Sequence, residues 1–280
     1  MTTHPGKEGD LPFPLSVVLN PTKADCYDQC PLVYYHRYVA RDLPPPSSPA
    51  IKRGMEIHRV IALYNRAYMR ADAQPDPDAF LRDLWRGQVS SNPETDSLRE
   101  YIDLSVLGYA HYCAFWGLRL VVVEQLITMP ARPLATNSTI ALTLNGRIDT
   151  ILQATRSSPA LPEGAYVTCD LKTSIVPLAQ EMRAAPSTTI QLVLSAYWMK
   201  RPVEEMTAGQ LVPRLEEDVR VRFDDVELEA GRAHVRAIAS GIASGVWTAR
   251  ENDWCPRCEI LKRGLCPLQC AREADSDGTF

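Results

Sequence analysis

The 280-residue chain has no run of about eighteen apolar residues, the length a helix needs to cross a bilayer. Met1 to Asp10 lacks a charged start followed by an apolar core, so neither a membrane span nor a secretory leader is expected, and the protein is expected in the cytoplasm. A positive excess is also missing: 30 Lys and Arg face 34 Asp and Glu, a net charge of -4, which argues against a surface that is basic all over. A core is not missing. With 45% hydrophobic and 23% charged residues, the composition suits one large α/β domain or two small ones, with disorder confined to the ends.

Charge is unevenly placed. Between His36 and Arg70 seven Lys or Arg stand against two acids, whereas Asp76 to Asp103 holds seven acids against three Arg. That asymmetry permits a basic groove on an acidic body, although solvated helix faces also produce it. The eight cysteines, at 26, 30, 113, 169, 255, 258, 266 and 270, cluster near both ends, which in a cytoplasmic chain favours a metal site over disulfides.

Two segments carry the chemistry. Asn145-Gly146-Arg147-Ile148-Asp149-Thr150-Ile151 and Tyr166-Val167-Thr168-Cys169-Asp170-Leu171-Lys172-Thr173 both read as strands. In the second, β periodicity puts Tyr166, Thr168, Asp170 and Lys172 on one face, free for chemistry, and Val167, Cys169 and Leu171 on a face that buries. If the first segment is its hairpin neighbour, Asp149 joins Asp170 and Lys172, giving two hard oxygen ligands for a divalent cation with an amine beside them. A bare Asp-x-Lys is more often a surface ion pair, so the order of elements around it carries the weight.

Residues 1–14 read as a loose polar arm, 15–270 as one domain and 271–280 as a tail. Asn20-Pro21-Thr22 caps an aromatic helix running to about Val39. After the stiff linker Pro44 to Pro49, Gly54-Met55-Glu56-Ile57-His58 opens an amphipathic helix with His58 at the border of its apolar stripe. A short helix is expected around Ala79 to Trp85, then a long one capped by Thr95, with Cys113 in its core stripe. Leu120 to Thr128 and Ile140 to Gln153 read as antiparallel strands, with Glu124 taken as a solvent-facing residue of the first. Pro186 to Lys200 is a helix bearing Gln191 and Tyr197, Gly209 to Phe223 a hairpin, and Leu228 to Ile242 the last long helix.

The ordered series Cys30-Pro31 with following aromatics, Gly54-x-x-x-His58, Asp149, Asp170-x-Lys172, Gln191 and three late cysteines resembles the PD-(D/E)XK nuclease superfamily, and within it the RecB-like iron-sulfur branch that includes CRISPR-associated exonucleases. The resemblance implies a mixed central sheet flanked by helices, with Asp149, Asp170 and Lys172 catalytic and Mg2+ or Mn2+ held by His58, Asp149, Asp170 and the Leu171 carbonyl. It also implies that Gln191 and Tyr197 position DNA, and that an acid placed like Glu124 sometimes approaches the metal. Ser195 stands where the family has a Tyr, and Tyr197 lies two residues beyond. The activity implied is a deoxyribonuclease, an exonuclease on single strands or ends, with a helicase or another recombination or CRISPR protein as partner. The rival is a non-catalytic DNA-binding or assembly module, which would need none of Asp149, Asp170 and Lys172.

For the cysteines two arrangements stand. A local zinc site would take Cys255, Cys258, Cys266 and Cys270. The resemblance implies instead a structural 4Fe-4S cluster on Cys30, Cys255, Cys258 and Cys266, tying residues 19–40 to 254–270 and leaving Cys26 spare.

Overall fold

The computed structural model describes residues 15–71, 73–86, 93–135, 138–173 and 178–268; the expected arm and tail, and Cys270, lie outside them. The first strand, Leu15–Leu19 (β1), leads into Pro21–Gln29 (α1). The Asn20 side chain accepts from the Lys23 N–H at 2.8 Å and Pro21 takes the first helical position, as the sequence predicts. The single helix expected to Val39 is broken at Cys30. Pro31 drives the residue before it out of the helical region, so Cys30 is extended (φ -160°, ψ 109°) and the chain restarts as Pro31–Tyr34 (α2) and a π-helical stretch over Tyr35–Val39.

Pro49–Ala71 (α3) begins before the predicted Gly54, Pro77–Leu84 (α4) follows, and Pro93–Trp116 (α5) contains Thr95 within its first turn rather than before it. Then come Leu118–Thr128 (β2), Arg132–Pro133 (β3), Ile140–Ala154 (β4), Tyr166–Leu171 (β5), Ala179–Ala184 (α6), Pro186–Met199 (α7), Met206–Val212 (β6), Glu217–Val221 (β7), Asp225–Ala243 (α8) and Glu259–Lys262 (α9).

Seven strands make one mixed sheet in the order β1-β4-β5-β6-β7, with β2 and β3 also paired to β4. The antiparallel β2–β4 and β4–β5 pairs match expectation. β6 starts earlier than the predicted hairpin and runs parallel to β5, Leu171 beside Leu211, because α6 and α7 return the chain across the sheet.

Helices cover both faces. Ile148 and Ile151 of β4 pack with Tyr27, Ile190, Leu194, Val235 and Ile238 from α1, α7 and α8. On the other face Leu152, Val167, Cys169, Leu171 and Leu211 meet Ile57, Ile61, Ile102, Val106 and Cys113 from α3 and α5. The architecture is a mixed α/β layer structure, its sheet flanked by helices. Gly146 permits one of these layers: a Cβ there would stand 2.8 Å from a Leu194 methyl and 3.1 Å from Pro21 Cδ. Among the described residues no helix is long and apolar enough to cross a membrane.

Candidate active site

Double coverage changes the expected role of β5. Thr168, assigned to an open polar face, is 3% exposed and buried like Cys169. Asp170 at the strand's end and Lys172 just beyond it are half-buried at a partly open rim, and Tyr166 is half-buried at the strand's other end.

At that rim three elements bring donor atoms together: one atom each from His58 of α3, Glu124 of β2 and Asp149 of β4 lie within 4.8 Å of one another. His58 Nδ1 is 3.4 Å from Asp149 Oδ2, and the Leu171 N–H donates to the same oxygen at 2.9 Å. Two carboxylates and an imidazole are donors suited to Mg2+ or Mn2+, so the residues present fit the cation the resemblance implies.

Glu124 is the residue that the sequence reading set aside. It lies between the pairs Val123–Thr150 and Gln125–Ile148, hence across from Asp149. Its side chain is 13% exposed and bonded to Arg147 at 3.3 Å, not turned to solvent. Its φ of +47° is unusual inside a strand. Such a backbone costs about 1–3 kcal/mol and collects at functional sites, but no feature of a single sequence marks it.

Asp170 and Lys172 form a tight pair, Oδ2 to Nζ 2.7 Å, beside the three donors rather than among them. Burial raises the Asp170 carboxyl above the ordinary 3.8, assisted by the charge of Asp149 and opposed by Lys172. Burial acts the same way on Asp149, but the hydrogen bond and charge of His58, the Leu171 N–H and Lys172 outweigh it and hold that carboxyl low. Two neighbouring carboxyls are thus pushed in opposite directions, a common mark of reactive sites. Burial would lower Lys172, yet Asp170, Asp149 and Asp25 together keep its amine protonated. His58 is likewise raised above 6.5: burial works against it, and Asp149, Asp170 and Glu124 prevail.

The helices hold this rim closely. A Cβ on Gly54, one turn before His58, would stand 3.3 Å from Thr173 Oγ1, so the glycine of Gly-x-x-x-His lets α3 approach the end of β5. Asp25 of α1 accepts the Ser187 N–H at 3.1 Å and so caps the start of α7, which carries Gln191. Gln191 is half-buried; Tyr197 is 43% exposed, about 120° further round the helix.

The cysteines gather elsewhere. Cys26, Cys30, Cys255, Cys258 and Cys266 line one cavity of about 720 Å³ between the α1–α2 corner and the C-terminal segment. The two ends of the chain are tied there: Asn252 Nδ2 donates to the Gln29 carbonyl at 2.9 Å, the Arg250 N–H to Cys30 Sγ at 3.5 Å, and Arg263 to the Asp42 carbonyl at 3.2 Å. Burial raises the Cys266 thiol, and Cys258, Cys30 and Cys255 lie near enough to add to the effect. Cys113 and Cys169 are core residues, as expected.

A sequence profile of the PD-(D/E)XK nuclease superfamily matches residues 18–267. The chain belongs to this superfamily. No curated protein matches the sequence. Among solved structures, the chain is similar to a "Putative exonuclease" from Eubacterium rectale, with 10% sequence identity, a TM-score of 0.47 and 86% of each chain covered.

Proposed function

We propose that the protein is a metal-dependent deoxyribonuclease of the RecB-like iron-sulfur branch, acting as an exonuclease on single-stranded DNA or DNA ends. The observation that carries the reading is the convergence of His58, Glu124 and Asp149 beside the Asp170–Lys172 pair. A bound Mg2+ or Mn2+ would neutralise charge on the scissile phosphate and polarise it. His58, Glu124 and Asp149 would hold it, and Asp170 and the Leu171 carbonyl, beside them at the rim, would complete the donor set. Lys172, kept cationic and aimed by Asp170, orients the attacking water and stabilises negative charge as it develops. The Leu171 N–H fixes the Asp149 carboxylate, and Gln191 positions the strand.

For the second site, Cys30, Cys255, Cys258 and Cys266 share one cavity. The presence of Cys30 beside the three late cysteines supports a four-iron cluster, a structural tie between residues 19–40 and 254–270 in a single domain spanning 15–270.

Incubating the purified protein with end-labelled single-stranded and duplex DNA, in Mn2+ or in chelator, tests the proposal. Mononucleotide or short-fragment release in Mn2+ alone is expected. Absence of cleavage, with DNA still bound, would favour the non-catalytic DNA-binding module.

A further inference from the structure

Arg53 and Arg214 stack on one aromatic ring. Their guanidinium carbons stand 4.6 and 4.7 Å from the centroid of Tyr101. Arg53 is exposed at the start of α3; Arg214 is half-buried just past β6. Like charges gathered at one ring repel, and a neighbouring carboxylate would relieve this. Among the described residues neither guanidinium has a carboxylate within 4 Å: nearby Glu56 is engaged by Arg59 and Glu216 by His111. The Arg214 Nε is buried with no hydrogen-bond partner, an expensive condition for a charged donor.

The pair also sits at the active-site edge of the sheet. β5 and β6 run parallel, and the Lys172 N–H donates to the Leu211 carbonyl at 2.7 Å, so Arg214, just past the end of β6, emerges at the same rim as Lys172. Arg53 precedes Gly54, where a Cβ would stand 3.3 Å from Thr173 Oγ1. Arg53 and His58 are five residues apart, about 7.5 Å along the helix axis, close enough for one DNA strand to meet both.

We propose that Arg53 and Arg214, held by Tyr101, form a clamp on the phosphate backbone of the DNA strand within a few nucleotides of the scissile bond. This deepens the nuclease reading and rests on it. Arginine suits the task because its planar fork binds phosphate oxygens in pairs while its face stays on the ring. The clamp reads no base. It fixes the strand's register relative to Lys172 and the three donors.

The test is binding of a labelled single-stranded oligonucleotide, in Ca2+ to support association without turnover, measured by anisotropy across a salt series. Arg53→Ala and Arg214→Ala should each weaken binding about 5- to 30-fold and reduce the slope of log affinity against log salt by about one. Arg53→Lys should keep the slope, since it keeps the charge, and lose part of the affinity. One uncharged methylphosphonate, walked along the strand, should weaken wild-type binding most at one position near the reactive end, and Arg53→Ala should be insensitive there. Wild-type binding and Mn2+-dependent cleavage, with affinities and slopes unchanged in both alanine variants, would overturn the clamp and leave the nuclease reading standing. A wild-type protein that neither binds nor cleaves DNA would overturn both.

Discussion

Gly54 and Thr173 meet where α3 passes the end of β5, and a methyl group on the glycine would come within 3.3 Å of the threonine hydroxyl. The contact sets how close His58, one turn further on, stands to Asp149. Alanine at a helical position otherwise held by glycine gains up to about 1 kcal/mol in propensity, so stability and activity should part company. Gly54→Ala is expected to leave the melting temperature unchanged or raised and to lower cleavage about tenfold, with activity recovered in Gly54→Ala/Thr173→Ala. Full activity in the single variant would show that Thr173 yields without moving α3.

Asp149→Ala, Asp170→Ala and Lys172→Ala should each lower Mn2+-dependent cleavage by at least about 10²–10³-fold, the scale on which loss of one preorganised charge at a transition state is felt. Circular dichroism should show a retained fold, since none of the three side chains fills the apolar core. Wild-type rates in Asp170→Ala would remove Asp170 and its hold on Lys172 from the mechanism.

Glu124→Gln keeps the shape of the side chain and removes its charge. The Mn2+ concentration for half-maximal cleavage should rise about 10- to 100-fold, in line with losses seen when a metal's supporting groups are changed. An unchanged metal requirement would return Glu124 to the role of a partner for Arg147.

The raised His58 pKa gives a signed pH dependence. In chelator, its contribution to stability is fully present below its ordinary 6.5 and is lost as pH rises through the higher folded value. Over the same range a neutral imidazole becomes available to a cation, so stabilisation by added Mn2+ should grow. Melting curves at pH 6 and pH 8 should show both trends in the wild type and neither in His58→Asn. Identical pH differences in the two proteins would contradict the link to His58.

Protein purified without oxygen should be brown, with about four iron and four sulfide per chain. Cys30→Ser should lose the iron and unfold at lower temperature, because Cys30 joins the α1–α2 corner to the C-terminal segment. Cys26→Ser should keep the iron: although Cys26 also lines the cavity, its sulfur lies 3.8 Å from Arg37 Nη1 and the residue packs into the main core. Colourless protein with one zinc, insensitive to Cys30→Ser, would favour the local four-cysteine site.

The sequence by itself determined what repeats within a few residues. The alternation of Val167, Cys169 and Leu171, the helical stripe ahead of His58, the Asn20 cap and the pairing of Asp170 with Lys172 are short-range patterns, written by neighbours along one strand or one helical turn. They put Asp149 and the Asp-x-Lys motif on two strands, and the antiparallel β4–β5 register sets them side by side. Pro31 also acts locally: by keeping Cys30 extended it ends at Gln29 a helix that the aromatic run alone would carry to Val39. Tertiary structure alone decided which polar groups remain open and which distant ones meet: helices on both faces buried Thr168, the β2–β4 register turned Glu124 towards Asp149 on a strained backbone, and the parallel β5–β6 pair carried Arg214 to the rim near Arg53. Register and packing between segments dozens of residues apart set those distances, and no local periodicity encodes them.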